Sequence, residues 1–269
     1  MNSKLLKSEV EKFITENYRS DLSRVIFSGS PFEGISTQEI AVQLKGKRTA
    51  EKKFPTLFYS FGIIYPPGLN LEQASSEITA EYKASLVTGN TFIDLTGGFG
   101  IDTLYFSRRF ERCVYCEINP ELAETAAHNF RILNRDNIEV HTTDGISFLS
   151  GSKQKYSCIY LDPSRRDTAG GRVFRLSQCI PDAGKNLDLL FSKSPQILIK
   201  TSPLLDLQAG ISELQKVAEI HIVAVENDVK ELIWILKETN DSRIIVKTVN
   251  FTKTRIEEYK NWFGENPQP

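Results

Sequence analysis

Four apolar runs in this 269-residue chain each give way to an acid: Asp94, Glu117, Asp144 and Asp162. Around the first of them the chain reads Phe-Ile-Asp-Leu-Thr-Gly-Gly-Phe-Gly-Ile-Asp from Phe92 to Asp102, an apolar run, an acid, a glycine turn and the start of a helix. A carboxylate at a strand tip, beside a loop that brings bare backbone N–H groups to a helix N-terminus, suits a ligand with both an ammonium and a carboxylate. S-adenosylmethionine is such a ligand. Asp94 is the natural partner for its ammonium, directly or through water. The turn of Thr96, Gly97, Gly98 and Gly100 lets backbone approach the methionine moiety. Glu117 can accept both ribose hydroxyls in charge-assisted bonds. Asp144, in Thr-Thr-Asp-Gly, is placed to accept the adenine amino group.

Any one of these acids alone reads as a solvated loop residue or a helix cap, whereas four in register point to a ligand. A dinucleotide fold also places glycines after its first strand and an acid after its second. Its fingerprint is not met, because Gly98-x-Gly100 is followed by Thr103 where glycine or alanine is needed. The acid immediately before the turn would also meet a pyrophosphate as a like charge.

The acids need strands to hold them. Strands are expected over 91–95, 113–117, 138–142, 157–161, 196–200, 221–225 and 244–249, with helices between most of them. That alternation predicts an α/β fold with a mostly parallel sheet, helices on both faces, and ligands beyond the strands' carboxyl ends. The helix from Pro120 to Leu133 has the clearest periodicity, with proline in its first turn. Ahead of the sheet, residues 1–72 read as a helical domain. Ser8 with Glu11 and Ser36 with Glu39 carry capping-box spacing, Pro66-Pro67-Gly68 makes a turn, and one amphipathic helix is expected over 71–86 with Gly89 as its stop. The S-adenosylmethionine-binding unit is assigned to 73–250 and a C-terminal extension to 251–269.

Bulk properties narrow the classes. A composition of 40% hydrophobic and 25% charged residues supports one full α/β core with an appendage, and a net charge of -1 excludes a uniformly basic coat. No apolar run approaches the roughly 20 residues that cross a bilayer, so no membrane association and a cytoplasmic location are expected. Cys113-x-x-Cys116 falls in a strand-like run, where residues three apart face opposite sides, and no second ligand pair exists. No metal is expected. His128, His141 and His221 fall in a helix and two strands, where structural roles are expected.

The segment from Asp94 to Asp102 resembles the first motif of class I S-adenosylmethionine-dependent methyltransferases, with Thr96 where the first glycine usually stands. Its Asp-x-Thr-Gly-Gly-Phe-Gly-x-Asp form looks like that of bacterial RNA guanine-N2 methyltransferases. The preceding stretch from Gln73 to Ala84 is similar to methyltransferases associated with a THUMP-like RNA-binding domain, and the likeness runs over 44–236. The resemblance implies a Rossmann-like seven-stranded class I sheet, a small helical N-terminal domain, S-adenosylmethionine as cofactor and RNA (rRNA or tRNA) as partner. Those relatives continue into a further C-terminal module that is expected to be absent here.

Amino-group methyltransferases hold the target nitrogen with an Asp/Asn-Pro-Pro-aromatic tetrapeptide. Asp162-Pro163 retains its acceptors, while Ser164 and Arg165 replace the second proline and the stacking aromatic. Stacking would then come from Tyr160, Phe174 or a guanidinium. Cytosine-C5 transfer would need a cysteine after Pro163, where serine stands, so that class is disfavoured and the Asp162-Pro163 pair makes a base nitrogen the expected acceptor. Arg165, Arg166, Arg172 and Arg175, with Lys200, could clamp substrate phosphates or pair with Asp162, Asp167 and Asp182. A second basic stretch, Lys45, Lys47, Arg48, Lys52 and Lys53, could guide RNA or form a solvated helix face. Two other classes fit the same residues: an inactive RNA- or protein-binding domain on this fold, and a methyltransferase of proteins or small molecules.

Overall fold

The computed structural model describes residues 1–165, 175–238 and 243–265. Six helices come first: α1 (Ser8–Asn17), α2 (Leu22–Ser28), α3 (Thr37–Lys53), α4 (Pro55–Tyr59), α5 (Gly68–Gln73) and α6 (Glu77–Ser85). α3 opens with the expected capping box, in which Ser36 Oγ accepts from Glu39 N and the Glu39 carboxylate accepts from Ser36 N. α1 does not use one. Its Glu11 instead accepts from Gly62 N, 51 residues away, at 3.0 Å, so a long-range contact takes the local partner. The single helix expected over 71–86 is two, α5 and α6. Ser76 accepts from Thr79 N and caps α6, and the competing side-chain bond breaks the helical ladder over 74–76. Ser75 is thereby left outside any helix.

From Thr91 onward strands and helices alternate: β1 (Thr91–Asp94), α7 (Ile101–Phe106), β2 (Arg112–Glu117), α8 (Pro120–Ile132), β3 (Ile138–Thr142), α9 (Gly145–Gly151) and β4 (Cys158–Leu161). A small ribbon of β5 (Ser164–Arg165) and β6 (Cys179–Ile180) follows, then α10 (Leu187–Lys193), β7 (Gln196–Thr201), α11 (Leu207–Leu214), β8 (Val217–Val225), β9 (Asp228–Lys237), β10 (Ile245–Phe251) and β11 (Ile256–Trp262). Among the described residues the main sheet has nine strands in the order β11-β10-β8-β9-β7-β4-β1-β2-β3, not seven. Seven run parallel and lie where strands were expected. The two additional ones, β9 and β11, run antiparallel to their neighbours.

β9 escapes detection because the β8–β9 hairpin lacks the usual glycine. Its two-residue turn is Glu226-Asn227, both at positive φ (52° and 64°), the geometry for which Asn-Gly is the common signal. Asn250 on the neighbouring strand holds the turn, its Oδ1 accepting from Asn227 N and its Nδ2 donating to Asn227 Oδ1.

Side chains alternate across the sheet, with Phe92, Tyr115, Tyr160 and Ile233 packing into one core layer and Ile93, Val114, Ile159 and Trp234 into the other. Both faces are therefore buried, the reason the strands read as continuous apolar runs. α11 comes so close that a Cβ on Gly210 would sit 2.4 Å from the Trp234 ring. The first helices close a third cluster around Val10, Ile14, Ile40 and Leu44. No helix among the described residues is long and apolar enough to cross a membrane.

Candidate functional site

The carboxyl ends of β1, β2, β3 and β4 open on one cleft of about 380 Å³, within the roughly 300 to 1,000 Å³ common for small-molecule sites. Asp94, Thr96, Gly97, Gly98, Gly100, Glu117, Asp144, Asp162 and Ser164 all line it. Asn70, Gln73 and Ala74, from α5 and the turn after it, line the same space.

Local geometry explains each glycine position in the turn. A Cβ on Gly97 would lie 2.2 Å from the Tyr115 ring, so β2 can approach only a bare backbone there. Gly98 has φ +58° and donates its N–H to Glu117 Oε2 at 2.8 Å. Gly100, at φ +85°, is the N-cap of α7 and abuts Phe130. Thr96 does what a glycine could not: its hydroxyl donates to Asp94 Oδ1 and accepts from Asp162 N at 2.7 Å, tying the tip of β1 to that of β4. Sequence reading noted the substitution without seeing this bridge.

The two acids of the first motif behave oppositely. Asp94 is buried, and desolvation, only partly opposed by hydrogen bonds from Thr103 and Thr96, pushes its carboxyl up to about 7. Asp102 is just as enclosed, yet the Lys83 and Lys200 ammonium groups and hydrogen bonds from Tyr160 and Ser75 outweigh desolvation and hold it below the usual carboxylate range. Asp102 Oδ2 accepts from Ser75 Oγ at 2.9 Å and Tyr160 Oη at 2.8 Å. Its Oδ1 lies 3.2 Å from Lys83 Nζ in charge contact without a hydrogen-bond alignment.

Glu117 uses each oxygen once on its own backbone, with Gly98 N on Oε2 and Asn119 N on Oε1, and each retains acceptor capacity. Asp144 is exposed and caps α9 through Oδ1, which accepts from Ser147 N. Beside it, a Cβ on Gly145 would meet Leu95 O at 2.2 Å, so the start of α9 presses against the tip of β1. Ile118 is 71% exposed where it lines the cleft, a large apolar side chain with no protein cover, and Leu122 lines the same region. Its type gave no signal in the sequence.

Just beyond β4 Asp162 Oδ2 lies 2.5 Å from Lys200 Nζ, so Lys200 is engaged by the acid rather than presented to a phosphate. Burial opposes the charge on Lys200, but Asp162, Glu231 and Asp102 outweigh it and raise the ammonium above its ordinary value. Behind this pair Lys83, fully buried, donates to Glu231 Oε1 at 2.6 Å and Ser75 Oγ at 2.9 Å. Pro163 is half-buried and does not line the cleft. The backbone of Arg165 pairs with Cys179 in the β5–β6 ribbon, which brings Ile180 and Pro181 to the cleft edge. Arg166, Arg172, Asp167 and Phe174 lie outside the described residues.

Tyr160 cannot stack on a substrate. It is buried against Phe92 and Phe106, with its hydroxyl on Asp102. The expected basic stretch of α3 is also consumed internally. Lys47 donates to Phe58 O, Arg48 to Tyr18 O and Ser20 O, Lys53 to Leu71 O and Glu72 O, and Lys45 pairs with Glu72. Only Lys52 of the five has an exposed side chain with no such bond. Lys53 sits close enough to Lys200 that burial, then that charge, pulls its ammonium down to about 8.

The remaining titratable groups are structural. Cys113 and Cys116 are buried in β2, with burial raising Cys113 to about 12 and Cys116 further, and no group of three or more metal-ligating side chains occurs among the described residues. His128 contacts Gly62 O, His141 contacts Glu139, and His221 contacts Tyr82 and Glu219.

A solved structure of a candidate methyltransferase from Porphyromonas gingivalis W83 matches this geometry with TM-score 0.83 at 25% identity, covering 97% of this chain and 65% of its own. The fold is that of this protein. The chain spans about 65% of its length. An rRNA methylase from Streptococcus thermophilus matches 60% of the chain and 96% of its own at 12% identity and TM-score 0.44. A candidate methyltransferase from Streptococcus mutans, in complex with SAH, matches the same shares at 11% identity and TM-score 0.43. Both likenesses are too slight to carry an inference. No protein-family model matches the chain, and no curated protein does.

Proposed function

We propose that this chain is an S-adenosylmethionine-dependent methyltransferase that acts on RNA (rRNA or tRNA) at a base nitrogen. The observation that carries the reading is the meeting in one cleft of the Gly97–Gly100 turn with Glu117 on β2 and Asp162 just beyond β4. The methyltransferase fold of the Porphyromonas gingivalis relative supports the same reading. The RNA acceptor rests on the Asp162-Pro163 pair and on the motif resemblance. A helical unit at 1–72, a transferase unit at 73–250 and an extension at 251–269 is the division proposed with it.

The residues fit the cofactor. Glu117 has acceptor capacity on both oxygens for a ribose diol, Asp144 has Oδ2 beyond its cap, and Ile118 and Leu122 offer an apolar surface for a flat ring. Gly97, Gly98 and Gly100 keep the wall beside Asp94 free of side chains. When bound, the cofactor supplies a methyl group activated by a sulfonium. Asp162, with Oδ2 on Lys200, keeps Oδ1 to accept a hydrogen from the target nitrogen and so aims its lone pair. That lone pair forms the new N–C bond, the C–S electrons remain on sulfur, and the surplus proton passes to water. Such alignment is worth up to about 7–11 kcal/mol, so the protein needs no strong base.

The test pairs binding with transfer. Calorimetry should show SAH binding, and RNA from cells lacking the gene should take up methyl from labelled cofactor. Asp162→Ala should lower that transfer at least a hundredfold while SAH affinity stays within about twofold, a loss typical of a transition-state contact. SAH binding without transfer to any RNA fraction contradicts the RNA acceptor, and an active Asp162→Ala contradicts its role.

A further inference from the structure

We infer that Lys200 sets acceptor specificity, its ammonium beside Asp162 admitting a neutral planar N–H donor and turning away a protonated amine. The inference rests on the reading of the cleft as a methyl-transfer site.

Asp162 alone, at the carboxyl end of β4, would attract any cation. Lys200 changes that. Its side chain is 13% exposed and its Nζ is 2.5 Å from Asp162 Oδ2, so the carboxylate that lines the cleft is neutralised by a cation that does not itself line it. A second cation in the same network is occupied elsewhere, because Lys83 on α6 is shared between Glu231 on β9 at 2.6 Å and Asp102 on α7 at 3.2 Å. Lys53 on α3, the remaining cation near Lys200, is fixed on the carbonyls of Leu71 and Glu72. The ionisable groups facing Lys200 are thus Asp162, Glu231, Asp102 and Lys53, and Asp162 is the partner it touches.

A protonated alkylamine entering here would bring a second ammonium against Lys200 and find one carboxylate oxygen already taken, with low-dielectric surroundings sharpening the repulsion. A neutral amino or ring N–H donates to the free Oδ1 at no such cost. An amino or imino N–H on an uncharged ring is such a donor. The substrate class is therefore an uncharged nitrogen heterocycle and not a lysine-like amine.

The test uses the full chain with labelled S-adenosylmethionine and two acceptors, RNA from cells lacking the gene and poly-L-lysine, for wild type, Lys200→Met and Lys200→Arg. Wild type should label RNA and leave poly-L-lysine unlabelled. Lys200→Met should lower kcat on RNA at least tenfold with SAH affinity within twofold, and raise the poly-L-lysine to RNA ratio at least tenfold. Lys200→Arg should keep the wild-type ratio and most of the rate. An unchanged rate and ratio in Lys200→Met would overturn the inference, as would wild type labelling poly-L-lysine in preference to RNA. Should Lys200→Met not fold, Lys200→Arg decides: a poly-L-lysine to RNA ratio raised tenfold despite the retained charge overturns it, and a wild-type ratio supports it. A wild type that binds no SAH fails on the underlying reading instead.

Discussion

The two halves of the cleft are built by different means. Around β1 and β2 the work is done by backbone: a turn with two positive-φ glycines, a third that admits the Tyr115 ring, and hydrogen bonds such as Gly98 N to Glu117, 19 residues apart. Around β4, β7 and β9 it is done by buried charge, with Lys200 reaching Asp162 across 38 residues and Lys83 reaching Glu231 across 148. The first half is shaped to be approached closely. The second is shaped to hold one carboxylate, Asp162, in a fixed position. Under the proposed function, bare backbone would serve the cofactor and paired side chains the acceptor.

That contrast can be broken from either side. The largest effect should come from the charged half. Lys83→Met leaves Asp102 and Glu231 buried without their cation and should destabilise the chain by about 3–5 kcal/mol in urea unfolding. A loss under 1 kcal/mol would mean the network is solvated and does not hold the acceptor side. On the backbone half the sharper probe is pH. Asp94, raised to about 7 by burial, favours its protonated form on folding, so its contribution to stability is complete below the unfolded value near 4 and declines as pH rises to 7. Asp94→Asn, which cannot ionise, should therefore gain on wild type as pH climbs from 4 to 7. A bound cation reverses the preference and favours ionised Asp94. Affinity for S-adenosylmethionine should accordingly rise by up to about tenfold from pH 6 to pH 8, an increase that Asp94→Asn abolishes. The smallest effect tests a region outside both halves: Ser36→Ala, which removes the cap of α3, should cost about 1 kcal/mol and leave SAH affinity unchanged.

The same contrast explains what the sequence could say. The backbone half is contiguous, so the order of apolar run, acid and glycines from Phe92 to Asp102 exposed the turn, and the acids at 117 and 144 followed from the ends of the next runs. The charged half is assembled from α6, α7, β4, β7 and β9, and nothing local marks Lys83 or Glu231 as partners. Lys83 read as one more polar residue of an amphipathic helix. Ser75 was hidden by the expectation of one continuous helix, which the Ser76 cap breaks. β9 was missed because Glu226-Asn227 makes its turn without glycine. The basic stretch of α3 misled for the opposite reason. Its charge is plain in the sequence, but whether a lysine meets solvent or a helix-end carbonyl is settled only by tertiary packing, as with Lys53 on Leu71 and Glu72.

The central claim is that the tips of β1 and β2 hold an adenosyl cofactor through the Gly98 turn and Glu117. Calorimetric titration of wild type and Glu117→Ala with SAH tests it most directly. The account predicts saturable one-to-one binding by wild type and a loss of about 1.5–3 kcal/mol in the variant, the range for hydrogen bonds to a charged group. Equal affinity in the two proteins, or no binding by either, would contradict it.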